Sequence, residues 1–305
     1  MGGGGGYSLS SKEIEQLRQE VEERTRNSLL EADVNGYLSE QLARINSRDT
    51  VAISRYIDAI LEAFGDAIEV EKLIFGGSVA KHTHVDGLSD VDSLVVMKDE
   101  AASEASPEQL RQQLADALKA KLRFAEVASI EPGIMAVNIS YRDGTEIQLL
   151  PARERDGHTE ISTADGKDWT AIEPRRFAQV LTNVNKRQAG MVVPTIKLAK
   201  AIISSLPEDS RLSGYHTEAL AVAAFSRYDG TRTAKRMLTH FFQSAAANVM
   251  RPIKDVTGQS RHIDEKLGGA ESAERRRLAR QLSKIGDRME TATSPNLWQN
   301  LLSRD

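Results

Sequence analysis

The sequence predicts an α+β fold in which a small mixed sheet with its own helices is followed by a helical C-terminal lobe. Short strand-like segments lie in the first half of the chain: KLIFGG, VDSLVVM, MAVNISY and TEIQLLPA. From residue 174 onward the apolar residues recur at helical spacing instead. Aromatic residues make up 5% of the chain, so aliphatic side chains must form the core, which suits packed helices.

A long amphipathic helix is predicted over residues 11–46. Its apolar positions recur at helical spacing and are Ile14, Leu17, Val21, Leu29, Leu30, Val34, Leu38 and Leu42. Charged residues fill the gaps, so the pattern indicates a helix with one buried stripe. The pair Asn35-Gly36 predicts an interruption or a kink of this helix. A second helix is expected from Val51 to Phe64, ending at Gly65.

The middle of the chain predicts a sheet crossed by one helix. Ser106-Pro107 is a start signal for a helix that runs from Leu110 to Leu122. The segments MAVNISY and TEIQLLPA alternate with period two and are separated by Arg142-Asp143-Gly144. Because Asp-Gly between two strand patterns favours a tight turn, these segments are predicted to form a hairpin.

Three regions are predicted along the chain: a flexible glycine-rich leader at 1–10, a core with the N-terminal helix at 11–170, and a helical domain at 171–305. Their boundary is placed in the polar stretch DGKDWTAIEP. The main helices of the last region are Ile196 to Ile203, Glu218 to Tyr228, Lys235 to Met250, and Ala273 to Met289. The run ERRR at 274–277 is interpreted as a solvated helix face.

Composition excludes several classes of function. The chain has no cysteine, which rules out disulfides and cysteine-based zinc sites. Its net charge of −4 is typical of a protein that handles small nucleotides rather than one that holds long duplex nucleic acid. No apolar run is long enough for a membrane span and no secretory leader is evident, so we expect a cytoplasmic protein.

The segment from Phe75 to Met97 carries the strongest chemical signal. A strand enters a Gly77-Ser78 turn, and a second strand carries Asp90-Val91-Asp92. Side chains alternate along a strand, so both aspartates are expected to face the same way and to bind Mg²⁺ or Mn²⁺. Two such ions about 3.5–4 Å apart can clamp an in-line phosphoryl displacement. The turn can bring backbone N–H groups and a hydroxyl to a triphosphate.

A third metal ligand is expected from the strand TEIQLLPA. Glu146 and Gln148 lie two residues apart, hence on one face. Glu146 is the carboxylate and the preferred candidate for metal ligand or general base, whereas Gln148 offers an amide oxygen. Asp90 and Asp92 also have two alternative interpretations. Asp-x-Asp alone is more typical of a solvated turn, and an EF-hand loop fails because Met97 stands where its glutamate is needed.

These motifs resemble the signature of the DNA polymerase beta nucleotidyltransferase superfamily. Within it, the chain resembles the bacterial cGAS/DncV-like nucleotidyltransferases (the SMODS group of CD-NTases) through Gly77-Ser78, Asp90-Val91-Asp92 and two further stretches, VPTIKLAKAI and LSGYHTEALAVAAF. The resemblance covers most of residues 50–265. It implies a bilobal polymerase-beta-like fold that uses Mg²⁺ to make cyclic or linear oligonucleotide signals from NTPs.

The resemblance also implies individual roles. Ser78 is similar to the phosphate-binding serine, and Asp90 and Asp92 to the first two metal ligands. Roles in nucleotide binding are implied for four residues of the helical half: Lys200 and its neighbour Lys197 on the triphosphate, Ser213 on phosphate, and Tyr215 on the base. The chain departs from the family at Gln148, where relatives often have aspartate.

The implied function is a cyclic oligonucleotide synthase in anti-phage defence signalling (CBASS), with an effector protein that responds to the product. A linear product or nucleotide transfer to a protein stays open at this point. So does a catalytically weak nucleotide-binding module, because of Gln148. The stretch DVTGQS, from Asp255 to Ser260, is a further candidate border of the nucleotide pocket.

Overall fold

The protein is seen in a computed structural model that describes most of the chain. The described residues are 11–46, 50–65, 70–75, 77–85, 91–97, 105–122, 126–257 and 260–302. The predicted leader at 1–10 and the predicted metal ligand Asp90 therefore lie outside them. Over these residues, every helix is too short or too polar to cross a bilayer.

The first half of the chain alternates helices and strands. The helices are α1 (Ser11–Ile45), α2 (Thr50–Phe64), the short α3 (Gly77–Ala80) and α4 (Pro107–Lys121). The strands are β1 (Val70–Phe75), β2 (Val91–Met97), β3 (Val127–Pro132), β4 (Val137–Tyr141), β5 (Glu146–Arg155), β6 (His158–Ser162) and β7 (Trp169–Ile172). The predicted start of α4 is confirmed, because Ser106 forms a capping box with Gln109.

The second half is helical, as predicted. Its helices are α5 (Arg176–Arg187), α6 (Val192–Ser204), α7 (Gly214–Phe225), α8 (Ala234–Asn248), α9 (Ala273–Thr291) and α10 (Pro295–Leu302). Two short 3₁₀ turns join them, at Glu208–Ser210 and Glu265–Leu267. The predicted α+β class, with a small mixed sheet and a helical half, is confirmed.

One mixed sheet contains all seven strands of the described residues, in the order β1-β2-β5-β4-β3, with β6 and β7 continuing from the end of β5. The predicted hairpin is confirmed, since β4 and β5 pair antiparallel and Gly144 takes a positive φ of 86° in the turn between them. Strands β2 and β5 run parallel. This parallel pair positions the functional site, because it sets which residues of the two strands lie side by side.

The two faces of the sheet are covered differently. One face packs against α2 and α4 through a core that includes Val95, Leu149 and Leu114, all at most 1% exposed. The opposite face carries a smaller apolar cluster around Val96 and Ala152. Period-two alternation along β2 and β5 produces this division. The polar residues Asp92 and Gln148 lie on the second face and line a cleft against the helical half.

Helix α1 packs onto the helical half of the molecule. Its buried residues Val34 and Leu38 join the core formed by α5 to α10, and the helix contacts α6, α8 and α10. The predicted division grouped α1 with the sheet-containing core at 11–170, so its packing differs from that grouping. The physical reason is that its aliphatic stripe meets the apolar faces of α6 and α8, while α2 and α4 already cover the sheet.

Helix α1 is continuous through Asn35-Gly36, so the predicted interruption is wrong. A glycine inside a helix costs about 1 kcal/mol relative to alanine. Burial of Val34 and Leu38 offsets this cost. Asn35 has another use: its Oδ1 accepts a hydrogen bond of 2.9 Å from the backbone N–H of Lys235, in the first turn of α8. Helix α1 thereby caps the start of α8.

The single buried stripe predicted for α1 extends over its second half alone. Leu17, Val21 and Leu29 are 47%, 62% and 62% exposed. They lie on the part of α1 that precedes its contacts with the helical core. Periodicity shows which residues of a helix share a face, but it does not show whether a partner covers that face.

The cap supplied by Asn35 leads to a stability prediction. We expect Asn35→Ala to lower the free energy of unfolding by about 1 kcal/mol, as for other caps, because the N–H of Lys235 loses its acceptor. The cap residue of α8 itself, Thr233, forms no side-chain cap bond. Urea denaturation measures the effect. Asn27→Ala, at an exposed position of the same helix, is the matched control, and equal midpoints for the two variants would contradict the prediction.

Candidate functional site

A cleft of about 340 Å³ separates the second face of the sheet from the helical half. Strands β2 and β5 form one wall, and α5, the start of α7 and the loop at Thr257 form the other. The lining residues are Lys81, Asp92, Ser93, Leu94, Met135, Ala136, Gln148, Leu150, Ile161, Ile172, Pro174, Phe177, Ala178, Tyr215 and Thr257. A largely apolar cleft of this size with a few charged groups is typical of a small-molecule site.

Asp92 and Gln148 lie side by side on the floor of the cleft. The parallel register of β2 and β5 pairs Asp92 with Gln148 and Val91 with Ile147. Burial raises the pKa of Asp92, with the nearby charges of Lys81 and Glu218 acting in opposite directions. The backbone N–H of Ser78, at the start of α3, donates a hydrogen bond to Asp92. The predicted serine turn and the predicted aspartate are thus brought together.

Glu146 lies elsewhere. It is the first residue of β5, two positions before Gln148 and on the same face, and it pairs with Ser140 of β4. Its side chain is exposed. It does not line the cleft. The structure therefore places Gln148, and not Glu146, in the position beside Asp92. The sequence showed that the two residues share a face, but strand register decides which one is adjacent.

The donor atoms beside Asp92 fit one hard divalent cation held jointly with a nucleotide. Mg²⁺ is commonly bound through one or two carboxylates plus substrate phosphates. Asp92 supplies a carboxylate and Gln148 an amide oxygen, and Asp90 directly precedes the described strand. Across the described residues, no three His, Cys, Asp or Glu side chains cluster as a metal site. Because Gln148 is an amide, the described residues offer no third carboxylate beside Asp92 for a second metal ion.

A buried carboxylate pairs with two lysines at the opposite wall. Glu218, on α7, is 1% exposed. Its Oε2 lies 2.5 Å from Nζ of Lys81, and its Oε1 lies 2.8 Å from Nζ of Lys200. Burial alone would raise the pKa of Glu218, but the two lysine charges outweigh that effect and lower it. Glu218 is therefore an anion within the protein interior.

Thr83 joins this ion cluster to the sheet-containing half. Its hydroxyl donates a hydrogen bond to Glu218, and Nζ of Lys200 donates to its carbonyl oxygen at 3.0 Å and to its hydroxyl at 3.3 Å. Sequence reasoning missed Lys81, Thr83 and Glu218. One signal was present: Glu218 directly precedes the apolar stretch ALAVAAF. An acidic residue next to such a buried segment is rarely buried itself unless it is paired with a cation.

The structure separates the two lysines of α6. Lys200 reaches the ion cluster, whereas Nζ of Lys197 donates a 2.5 Å hydrogen bond to Oδ1 of Asn46, just beyond α1. Burial lowers the pKa of both side chains. The i and i+3 spacing placed them on one helix face, but different partners hold their ammonium groups. Lys197 does not line the cleft.

Tyr215 stands at the start of α7 and faces the cleft. Its ring lies edge-on to Phe177 at 4.8 Å between centroids, with Nζ of Lys81 at 5.1 Å from its centroid. Its hydroxyl donates a 2.9 Å hydrogen bond to Asp255. Ser213 is the N-cap of α7, and its Oγ accepts from the N–H of His216 at 3.2 Å. Phe177, Lys81 and Asp255 thus hold Tyr215 at the cleft, while Ser213 is an exposed cap.

Asp255 organises the loop that forms the rim of the cleft. It accepts hydrogen bonds from the backbone N–H and hydroxyl of both Thr257 and Ser260, in addition to that of Tyr215. These donors together lower its pKa although burial opposes them. Thr257 lines the cleft. Of the stretch DVTGQS, which was predicted to border a nucleotide pocket, Thr257 lies at this cleft.

His216, which follows Tyr215, is buried away from the cleft and leads to a pH prediction. Its Nε2 lies 3.6 Å from Oδ2 of Asp264, which also binds Arg275. Burial and, to a smaller extent, the positive charge of Arg275 lower the pKa of His216 to about 4, although the negative charge of Asp264 acts to raise it. An unfolded histidine titrates near 6.5, so between about pH 6.5 and 4 the unfolded state binds the extra proton.

We therefore expect stability to fall as the pH falls from about 6.5 to about 4, by up to about 1.4 kcal/mol per pH unit from His216. Urea denaturation at several pH values measures the slope. His216→Gln should flatten it, whereas His158→Gln, at an exposed position, should leave it unchanged. Equal slopes for wild type and His216→Gln would contradict the prediction.

The arrangement of mixed sheet, cleft and helical half is shared with solved structures of CD-NTase nucleotidyltransferases. No protein-family model and no curated protein sequence matches the chain. Solved structures do. CdnG of Bradyrhizobium diazoefficiens, in complex with GTP, matches with a TM-score of 0.67 at 15% identity over 88% of this chain and 95% of that one.

Two further solved structures support the same fold. CdnC of E. coli MS115-1, with ATP, has a TM-score of 0.63 at 14% identity, covering 87% of this chain and 93% of that one. The Vibrio cholerae cyclic AMP-GMP synthase DncV, with nonhydrolyzable GTP, has a TM-score of 0.60 at 10% identity, covering 96% and 90%. The resemblance read from the sequence is confirmed at the level of the fold.

Proposed function

We propose that this protein is a template-independent nucleotidyltransferase that joins NTPs into short cyclic or linear oligonucleotides. One observation carries the proposal: a single cleft has Asp92 and Gln148 on one wall and, across it, the aromatic ring of Tyr215 with Lys81 beside it. A carboxylate for a metal–triphosphate, a cation for phosphate and a ring for a base are what this reaction needs.

The chain's residues supply positioning and charge for the transfer. A nucleotide base stacks on Tyr215, and its triphosphate extends toward the turn at Ser78. Asp92, with Asp90, would hold Mg²⁺ or Mn²⁺, which neutralises charge that develops on the phosphate. A 3′-hydroxyl then attacks the α-phosphate: an O–P bond forms, the bond to the β-phosphate oxygen breaks, pyrophosphate leaves and the hydroxyl proton passes to water.

The proteins of similar fold favour NTPs as substrates. CdnG and CdnC are seen with GTP and ATP, and DncV is a cyclic AMP-GMP synthase. By this analogy the product acts as a second messenger, read by a separate effector protein in an anti-phage response.

A second candidate is a nucleotide-binding module of low catalytic power. The observation that favours it is Gln148 beside Asp92, because a neutral amide replaces the negative charge that a second ion requires. Glu146, the carboxylate nearest along the same strand, is exposed and outside the cleft wall. This candidate predicts NTP binding without turnover.

Incubation of purified protein with each labelled NTP, singly and in pairs, with Mg²⁺ or Mn²⁺, tests these alternatives. Phosphatase-resistant product supports a cyclic oligonucleotide, and a ladder of products supports a linear one. Label that stays on the protein supports protein nucleotidylation. Binding without turnover supports the module, and absence of both binding and turnover contradicts all of these proposals.

A further inference from the structure

We propose that Lys81, and not Lys200, is the lysine that hydrogen-bonds the nucleotide's phosphates, and that Lys200 and Glu218 are positioning residues. The inference rests on the proposed function and deepens it. The resemblance to the CD-NTases assigned the triphosphate to Lys200. The contacts around the two ammonium groups distinguish them.

The ammonium of Lys200 has no hydrogen left for a ligand. An ammonium group has three N–H donors. Those of Lys200 meet three protein acceptors: Glu218 at 2.8 Å, and the carbonyl and hydroxyl oxygens of Thr83 at 3.0 and 3.3 Å. Its side chain is 8% exposed, and it does not line the cleft. Lys200 therefore acts as a fixed interior charge that orients Glu218.

Lys81 is bound differently. Among the described residues, Nζ of Lys81 forms an ion pair with Oε2 of Glu218. It also lies 5.1 and 5.3 Å from the ring centroids of Tyr215 and Phe177, and within electrostatic reach of Asp92. Ring faces attract a cation but do not use its N–H donors as an oxygen does. Two donors thus stay available to an anion in the cleft, which Lys81 lines.

The position of Lys81 suits a triphosphate. It follows Ser78 by three residues, so its backbone is tied to the turn whose N–H reaches Asp92. Its Nζ lies beside the ring of Tyr215. A base that stacks on this ring takes the place of the ammonium group there, and phosphates that extend toward Ser78 offer new acceptors to Lys81. Nucleotide binding would then exchange a ring contact for a phosphate contact.

The contacts of Glu218 permit this exchange. Two lysines share its carboxylate, and the carboxylate of Asp92 lies within electrostatic reach of both lysines. When Lys81 turns toward phosphate, Glu218 keeps Lys200 and the hydroxyl of Thr83 as partners. Glu218 is therefore never left as an isolated buried charge, which would be costly. Removal of Lys200 would leave the carboxylate dependent on Lys81.

Binding of NTPs and of the matching nucleosides, measured by calorimetry in EDTA so that no turnover occurs, tests the assignment. Lys81→Met should lower NTP affinity by roughly 10- to 100-fold, the usual effect of losing a charged hydrogen bond, and leave nucleoside affinity unchanged. Lys81→Arg, which keeps the charge, should retain most of the NTP affinity. The thermal midpoint of Lys81→Met should fall less than that of Lys200→Met, since Glu218 keeps Lys200 and Thr83 as hydrogen-bonding partners.

Lys200→Met should instead lower the thermal midpoint and change the ratio of NTP to nucleoside affinity by less than Lys81→Met does. The inference is overturned if wild type binds NTPs and Lys81→Met keeps the wild-type ratio, or if Lys200→Met alone loses it. Those results leave the proposed function standing. If wild type binds no NTP, both the proposed function and this inference fail.

Discussion

Asp92→Asn is expected to reduce nucleotide transfer by at least about a thousandfold while the protein stays folded. Asparagine keeps the shape of the side chain but removes its charge. With Gln148 as the neighbour, strands β2 and β5 would then present two neutral amides to a metal ion. Loss of a single preorganised electrostatic group commonly costs about 10²- to 10³-fold, and here the loss also removes a metal ligand.

The stability of this variant separates a functional role from a structural one. Burial raises the pKa of Asp92, so the folded protein disfavours its charge. The neutral variant should therefore be at least as stable as wild type in urea at neutral pH. Asp58→Asn, an exposed change on α2, is the control and should alter neither quantity. Unchanged pyrophosphate release by Asp92→Asn would contradict the proposed mechanism.

Arg275→Met is expected to destabilise the protein by about 3–5 kcal/mol, the usual range for breaking a buried ion pair. Arg275 is fully buried on α9. Its guanidinium donates to Oδ2 of Asp264 at 2.7 Å and to the carbonyl oxygens of Val249, Arg251, Gly268 and Gly269. Methionine fills the space but leaves Asp264 as a buried, uncompensated charge.

The neighbouring arginine provides the matched control. Arg276 is exposed on the same helix, so Arg276→Met should change the urea midpoint little. Arg275→Lys should lie between wild type and Arg275→Met, because lysine keeps the charge but lacks the planar fork of donors. Equal free energies of unfolding for Arg275→Met and Arg276→Met would contradict a stabilising role for the ion pair between Arg275 and Asp264.

The same arginine shows a limit of sequence reasoning. The ERRR run was interpreted as a solvated helix face, and for Arg276 that holds. Arg275 is in the core because the carbonyl oxygens of Val249, Gly268 and Gly269 converge on its guanidinium group. No local pattern encodes that arrangement, since its acceptors are backbone atoms of another segment.

The class of fold could be predicted because its signals are local. Period-two alternation identified β4 and β5, and Asp143-Gly144 identified their turn. Strand pairing between distant segments could not be predicted in the same way. Asp92 and Gln148 are adjacent through the register of two parallel strands, which depends on packing of both faces rather than on either segment alone.

The candidate site was predicted where a short motif carries it and missed where it depends on long-range contacts. Ser78, Asp92 and Tyr215 do meet at one cleft or its edge. The ion cluster of Lys81 with Glu218 joins residues far apart in the chain, and neither position in the sequence shows which partner the residue has. Burial and partner choice, which the sequence does not display, give this pair its role.

A crystal structure of the protein with Mg²⁺ and a non-hydrolysable NTP tests the central claim most directly, namely that the cleft between sheet and helical half is the nucleotide site. We predict a base stacked on Tyr215, phosphates within hydrogen-bonding distance of Ser78 and Lys81, and a metal ion at Asp92. A nucleotide bound elsewhere on the molecule, with the cleft empty, would contradict it.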